Sequence, residues 1–202
     1  MQKEDKIKEP KQARSIEKKN RIIETGFRLF CEKGYYHTNT AEIARAAGVS
    51  TGIVYRYFPD KHAIFVDAVQ LYSEKIQSGI LTRLNTFSSL SDLDSFLPEL
   101  IDSLVDMHVH FAGAHRELEV MANSDPDISN IIVEFERSLT DRFADSFAAM
   151  DNGVSHVREK IHLVFHMIED YCHEVVFHHH EHMDYTVMKE LLLSTLHCLI
   201  RL

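Results

Sequence analysis

Residues 21–69, RIIETGFRLFCEKGYYHTNTAEIARAAGVSTGIVYRYFPDKHAIFVDAV, decide how the rest of this 202-residue chain is read. Ile22, Ile23, Phe27, Leu29 and Phe30 recur at three- and four-residue spacing, which predicts a helix over 15–33. Gly34 stands where a helix C-terminus favours a left-handed residue. Gly26 interrupts that helix at a cost of ~1 kcal/mol relative to Ala. Asn39 followed by Glu42 is a variant capping box and predicts a second helix over Thr40–Ala47. Gly48 ends it, and Val49 alone separates that glycine from Ser50, the expected cap of a third helix. Val49 and Val54 then occupy the two ends of a hydrophobic staple. Two short helices joined by a glycine-containing turn make a helix-turn-helix.

The third helix divides into two faces. Ile43, Ala44, Ala47, Val49, Val54 and Phe58 are spaced to point inward, and the alanines let the second and third helices approach closely. Thr51, Gly52, Tyr55 and Arg56 remain on the outer face. A recognition helix sets such N-terminal residues against base edges in the major groove. Arg56 can bond a guanine edge through two N–H groups or clamp a phosphate; Thr51 and Tyr55 can meet a thymine methyl or a phosphate oxygen. Gly52 lets the backbone come close to a duplex. Thr38, Tyr57 and Lys61 read as phosphate contacts, and Lys61 starts a fourth helix whose N-terminus itself attracts phosphate. In isolation Tyr55 reads sooner as a core aromatic and Arg56 as a solvated charge; the surrounding helix-turn-helix pattern reverses that and turns both outward.

Phe30, Gly34, Tyr35, Thr38, Ile43, Ala44, Ala47, Gly48, Val49, Ser50, Gly52, Tyr55, Phe58 and Lys61 stand as landmarks at fixed spacing. Together they strongly resemble the N-terminal domain of the TetR family of bacterial repressors, over about a quarter of the chain. Thr40 departs from the pattern, standing where an aliphatic residue is common. The resemblance implies phosphate contacts for the tyrosine and lysine, a two-fold dimer closed by four helices, and an effector bound among the middle helices. It also implies release of a palindromic operator when the effector binds.

Outside that stretch, the composition excludes several classes. Seven glycines and four prolines are few for a sandwich or barrel, and the expected class is all-α with about nine helices. Cys31, Cys172 and Cys198 are far apart, which supports neither a zinc knuckle nor a disulfide framework. No apolar run reaches the ~18 residues of a membrane span, and the charged N-terminus has no signal-peptide core, so a cytoplasmic protein without membrane association is expected. The net charge of −9 is unevenly spread. Residues 1–61 carry +5 and residues 62–202 carry −14, as expected if one part meets phosphates and the other does not.

The expected organisation is a flexible basic arm over 1–14, a helix-turn-helix domain over 15–61, and a helical effector-binding and dimerisation domain over 62–202. In the last, helices are expected at about 61–84, 92–110, 114–123, 126–150, 155–179 and 185–201. TFSSLSDLDS forms a connection, Pro98 begins or kinks the fifth helix, and Gly113 separates the fifth from the sixth. Asp60, Asp125 and Asp184 serve as caps, Pro126 takes the first helical position, and Asp151-Asn152-Gly153 breaks the seventh helix. The last helix carries Val187, Met188, Leu191, Leu192, Thr195, Leu196 and Leu199, a stripe wider than one neighbour covers. The eighth presents Val157, Ile161, Val164, Ile168, Cys172 and Val175. The pair is expected to close a homodimer.

The expected function is a sequence-specific DNA-binding regulator, not an enzyme, that needs no cofactor. Its expected partners are a double-stranded operator and a small organic effector. His108, Phe111, Glu119, Phe135, His162 and His166 are candidate effector residues. Fourteen histidines leave a second reading, a metal-responsive repressor. His162, His166, Glu169 and His173 fall on one side of the eighth helix, with His108, His110 and His115 as further donors for a divalent metal. His178, His179, His180 and His182 read as an exposed helix end. A metal-dependent hydrolase using His162 and His166 would lack the Glu base of an H-E-x-x-H motif.

Overall fold

The computed structural model describes residues 12–84, 87, 89–149 and 153–201. Most of the expected basic arm, and Asp151 and Asn152 of the expected break, lie outside them. The described helices are α1 (Ala13–Lys33), α2 (Thr40–Ala46), α3 (Thr51–Tyr57), α4 (Lys61–Leu84), α5 (Leu93–His110), α6 (Ala112–Ala122), α7 (Pro126–Ala148), α8 (Val157–Val176) and α9 (Tyr185–Arg201). A 3-10 turn over Leu90–Asp92 precedes α5. There is no strand among the described residues, and no helix is long and apolar enough to cross a membrane.

Side chains explain four of the nine described helix starts. Asn39 Oδ1 accepts the Glu42 N–H at 3.0 Å, and Asp60 Oδ1 accepts that of Ala63 at 2.9 Å. Asp125 Oδ1 accepts from Asp127 and Ile128 at 3.0 and 3.3 Å, and Asp184 Oδ1 from Thr186 and Val187 at 2.9 and 3.1 Å. Each bond satisfies an amide that the first helical turn leaves without a partner. Ser50 holds the cap position of α3, but its hydroxyl makes no capping bond. Glu42 does not complete the expected box; its carboxylate pairs with Lys33.

The chain packs as two units, one of residues up to Glu74 with Gly113–Ile131, the other of Lys75–Ala112 with Ile132 onward. The boundary expected after residue 61 therefore falls inside the first unit. In that unit α1, α2 and α3 pack on one another around Ile22, Phe30, Ile43, Val54, Ile64 and Phe65, all buried. Phe30 meets Phe65 edge-on at 5.1 Å. Gly26 is explained here, since a Cβ on it would lie 2.7 Å from Ile64 Cγ2. The missing side chain is what lets α1 lie against α4.

Gly113 corrects the sequence reading. The break comes at Phe111, whose N–H closes α5 on the Met107 carbonyl at 2.9 Å. Gly113 lies inside α6, where a Cβ would sit 2.6 Å from the Cys31 carbonyl oxygen. In the second unit α8 packs against α5 and α9, and Leu93, Ile101, Leu139, Ile168, Cys172 and Leu196 form its centre. Pro98 lies within α5 and does not begin it. Helix α8 ends at Val176, so His178, His179, His180 and His182 are exposed in the turn beyond it and form no helix end.

Candidate nucleic-acid interface and ligand cavity

Helix α3 is held from one side. Val54 is fully buried and Tyr57 nearly so, while Thr51, Gly52, Arg56 and the 53% exposed Tyr55 face outward. The turn before it is closed by Gly48, at φ +66°, and by the Val49 N–H donating to the Ala44 carbonyl at 3.0 Å. That positive φ suits glycine, and it orients the Ser50–Tyr57 segment against α2. A Cβ on Gly52 would have Ser50 Oγ, 4.0 Å away, as its nearest neighbour. Nothing in the fold therefore requires glycine there, in contrast to Gly26.

Three of the seven expected DNA contacts are placed differently. Thr38 is 1% exposed, and its hydroxyl donates to the Gly34 carbonyl at 2.9 Å and lies 3.3 Å from that of Leu29. It ties the end of α1 to the following turn, so its side chain offers nothing to a phosphate. Tyr57 belongs to the core because it shares the inward face with Val54. Lys61 Nζ donates to the Tyr35 and Thr38 carbonyls at 2.7 and 3.0 Å and stands 4.3 Å from the centre of the Tyr35 ring. Burial lowers its pKa. With two of three protons committed, Lys61 first fixes the 35–38 turn and has one proton left for an anion.

Tyr36 was missed by the sequence reading. It is 69% exposed, with its ring edge-on to Tyr35 at 5.3 Å. The Tyr-Tyr pair was the available signal, since neighbours in a tight turn rarely both point inward. The same unit anchors this turn further: the Tyr35 N–H donates to Glu117 Oε2 at 2.8 Å. His62 Nε2 lies 2.6 Å from Asp125 Oδ2. Burial pushes the Asp125 carboxyl up, but the His62 bond and the two capped amides outweigh it and hold the pKa below the ordinary value.

In the second unit, α4, α5, α7 and α8 enclose a cavity of about 50 Å³. Ile80, Leu104, Leu139, Phe143 and Ile161 wall it, with Thr140 and Glu169 as its polar groups. The buried Thr140 hydroxyl has no hydrogen-bond partner. None of the six expected effector residues lines this cavity. Phe135 sits behind it, its ring 6.5 Å from that of Phe165, which does line it. Phe111 closes α5, with its ring against His110. Glu119 is exposed on α6, in the first unit.

The expected metal set separates along its helix. His162 and His166 are exposed, with Nε2 atoms 3.2 Å apart, and they form no cluster with Glu169 and His173. The reason is axial rise: eleven residues from His162 to His173 span ~16 Å of helix. Glu169 instead meets His108, which is 0% exposed. His108 Nδ1 lies 2.8 Å from the Leu104 carbonyl and Nε2 lies 3.2 Å from Glu169 Oε2. Burial works against an imidazolium there, but the Glu169 bond, its charge and the Leu104 carbonyl prevail and raise the pKa. His110 lies exposed near the end of α5, and His115 belongs to the first unit. The neighbouring Cys172 thiol is pushed up to about 12 by burial and by Glu169.

The apolar inward stripe of α8 also departs from expectation. Ile161, Val164, Ile168 and Cys172 are spent in the core of their own unit. What α8 and α9 leave outside is Leu163, Val187 and Leu191, at 52, 48 and 65% exposure.

Comparison with known proteins completes the site. The sequence pattern of the family "Bacterial regulatory proteins, tetR family" matches residues 22–68, from α1 into α4. The regulator BetI of Escherichia coli is 30% identical over 145 residues, covering 64% of this chain and 74% of that protein. The uncharacterised helix-turn-helix regulator YuxN of Bacillus subtilis is 42% identical over 65 residues, which are 32% of this chain and 22% of that protein. The chain spans about a fifth of the length of the first curated relatives it matches. A crystal structure of a TetR-family regulator from Mesorhizobium loti superposes with a TM-score of 0.73 at 19% identity. It covers 93% of this chain and 97% of its own, and it shares the fold.

Proposed function

The chain belongs to the tetR family of bacterial regulatory proteins, and on that premise we propose that it is a repressor that binds a pseudo-palindromic operator as a homodimer. The carrying observation is the outer face of α3: Thr51, Gly52, Tyr55 and Arg56 are open to solvent while Val54 and Tyr57 lock the inner face. Arg56 is the side chain with the geometry to read a guanine through two bonds. Lys61 and the N-terminus of α4 supply a positive end beside it.

Dimerisation is assigned to the outward apolar residues of α8 and α9. Leu163, Val187 and Leu191 are too exposed to serve the core of their own unit, and large exposed apolar groups favour an interface. Two reading helices related by a two-fold axis then require half-sites one or more turns apart, ~34–36 Å each.

The effector reading rests on the cavity among α4, α5, α7 and α8. Its walls are apolar, and the Thr140 hydroxyl and Glu169 carboxylate offer fixed polar contacts. At about 50 Å³ it is far smaller than the ~300 Å³ of a pocket for a drug-sized molecule. A small organic effector must therefore part these helices on entering, which favours whichever conformation has them apart. That differential affinity is what couples a ligand to operator release.

The test is recovery of bound genomic fragments, followed by anisotropy titrations with the recovered operator and with random DNA. Arg56→Ala is expected to weaken operator binding by ~1–3 kcal/mol and to leave random DNA nearly unaffected. Equal losses on both would make Arg56 a phosphate contact and remove base reading from α3.

A further inference from the structure

Thr140 lies within α7 and is 6% exposed. Its hydroxyl finds no hydrogen-bond partner among the described residues. Three other helical hydroxyls, those of Thr82, Ser146 and Thr195, bond the carbonyl four residues back at 2.8, 3.0 and 2.8 Å. Water reaches all three of those side chains, so none of them depends on that bond. Thr140 leaves the corresponding Glu136 carbonyl alone, and it does so where solvent cannot stand in. A buried hydroxyl left in this way is a standing cost to the fold and calls for a partner that is not part of the chain.

The Thr140 side chain borders the cavity of the second unit, and its staggered positions let the hydroxyl be presented there without moving the helix. Around it stand Ile80, Leu104, Phe143, Val164 and Phe165, walls that disfavour any ion stripped of water. Glu169, the charged group of the lining, is already engaged, with Oε2 3.2 Å from Nε2 of the buried His108. Burial opposes a charge on that imidazole, but the Glu169 bond prevails and favours the protonated ring. The pair is neutral as a whole, so it does not call for an ammonium group, and its carboxylate repels an anion. Recognition is left to shape, apolar surface and one hydroxyl. At about 50 Å³ the cavity is a third of the ~150 Å³ that takes up benzene in an engineered protein core, so a six-membered ring enters as the four helices part.

Resting on the effector reading of this cavity, we propose that it binds an uncharged, mainly apolar molecule with a single oxygen function, an alcohol, phenol or ketone, whose oxygen pairs with the Thr140 hydroxyl. That hydroxyl both donates and accepts, so an alcohol and a carbonyl are both served. A hydrocarbon of the same shape is held by the walls alone. Thr140 is thereby the residue that selects an oxygenated ligand over a hydrocarbon.

The test uses the full chain and four probes of similar size: phenol, benzene, benzoate and benzylamine. Binding is read by calorimetric titration without DNA, which keeps the result independent of operator recognition. Phenol is expected to bind about ten-fold more tightly than benzene, the worth of one hydrogen bond to a group otherwise unpaired. It should bind about 100-fold or more tightly than benzoate or benzylammonium, which must shed water without a counter-charge. Thr140→Val keeps the shape and should reduce the affinity for phenol to that for benzene, with benzene unchanged; Thr140→Ser should keep the preference for phenol. The urea midpoint of the unliganded Thr140→Val chain should rise, since an unpaired buried hydroxyl is removed, and this also checks the fold. Failure to take up either phenol or benzene overturns the site. Benzoate or benzylammonium binding as tightly as phenol overturns the ligand class, and an undiminished affinity of Thr140→Val for phenol overturns the Thr140 contact. Phenol bound as expected, with operator affinity unchanged, upholds the site and overturns only the effector reading.

Discussion

Helix α3 carries its chemistry on the outside and helix α8 on the inside. In α3, a helical repeat sets Val54 and Tyr57 within and Thr51, Gly52, Tyr55 and Arg56 without, with Ile53 half-buried between the two faces. A partner meets that outer face directly. In α8 the outer face holds His162, Leu163 and His166, while Glu169 turns toward a cavity and a buried histidine of another helix. A surface site is made by one short segment and its immediate neighbours; an interior site needs residues brought together by the fold. The first can be altered without disturbing the core, whereas the second is part of it.

The largest expected effect tests whether the outward apolar residues of α9 differ in purpose from the outward polar ones of α3. Leu191→Arg places a charge at a 65% exposed leucine, so the folded subunit should tolerate it. If that face joins two copies, sedimentation should report a monomer. Operator affinity should then fall by about 10²- to 10⁴-fold, the avidity lost when two linked contacts become one. A dimer of unchanged stability would move the interface elsewhere.

Next in size is Gly26→Val. A Cβ at that position meets Ile64 Cγ2 at 2.7 Å, and Ile64, branched at its β-carbon and fully buried, has little room to turn. Thermal or urea unfolding should show a loss of about 1–3 kcal/mol, the usual range for overpacking a tight core. Gly26 is also where the sequence carried a cost without its reason. Its helix penalty was visible, but its cause was a contact with a residue 38 positions later.

The same distinction governs what was legible. The outer face of α3, the Asn39, Asp60, Asp125 and Asp184 caps and the nine helices all follow from patterns within about eight residues, and each is seen among the described residues. The histidine site on α8 was sought by angle around the axis, with no weight for distance along it, and so four side chains were grouped across ~16 Å. His108 and Glu169 are separated by 61 positions, and no local spacing links them. Thr38 failed for a related reason: a hydroxyl beside a turn is read as available until its carbonyl partners are known.

Thr38→Val separates those two roles. The substitution keeps the shape and removes the hydroxyl that donates to the Gly34 carbonyl just past the end of α1. Urea unfolding should show a loss of ~1 kcal/mol, the net worth of one such bond. The salt dependence of operator binding should keep its slope, since no phosphate contact is removed. A slope reduced by about one would return Thr38 to the interface.

The smallest expected change is at Gly52, and its value lies in its sign. Inside a helix, glycine is ~1 kcal/mol less favourable than alanine. With only Ser50 Oγ near the added methyl, at 4.0 Å, Gly52→Ala should raise the midpoint of thermal unfolding. Yet the same methyl would stand on the outer face of α3, between Thr51 and Tyr55, where the backbone must come closest to a duplex. Operator affinity should therefore fall while stability rises, and the two measurements on one variant should move in opposite directions. A stabilised protein with unchanged operator binding would mean that α3 meets DNA through Tyr55 and Arg56 at a distance, and that close backbone approach has no part in recognition.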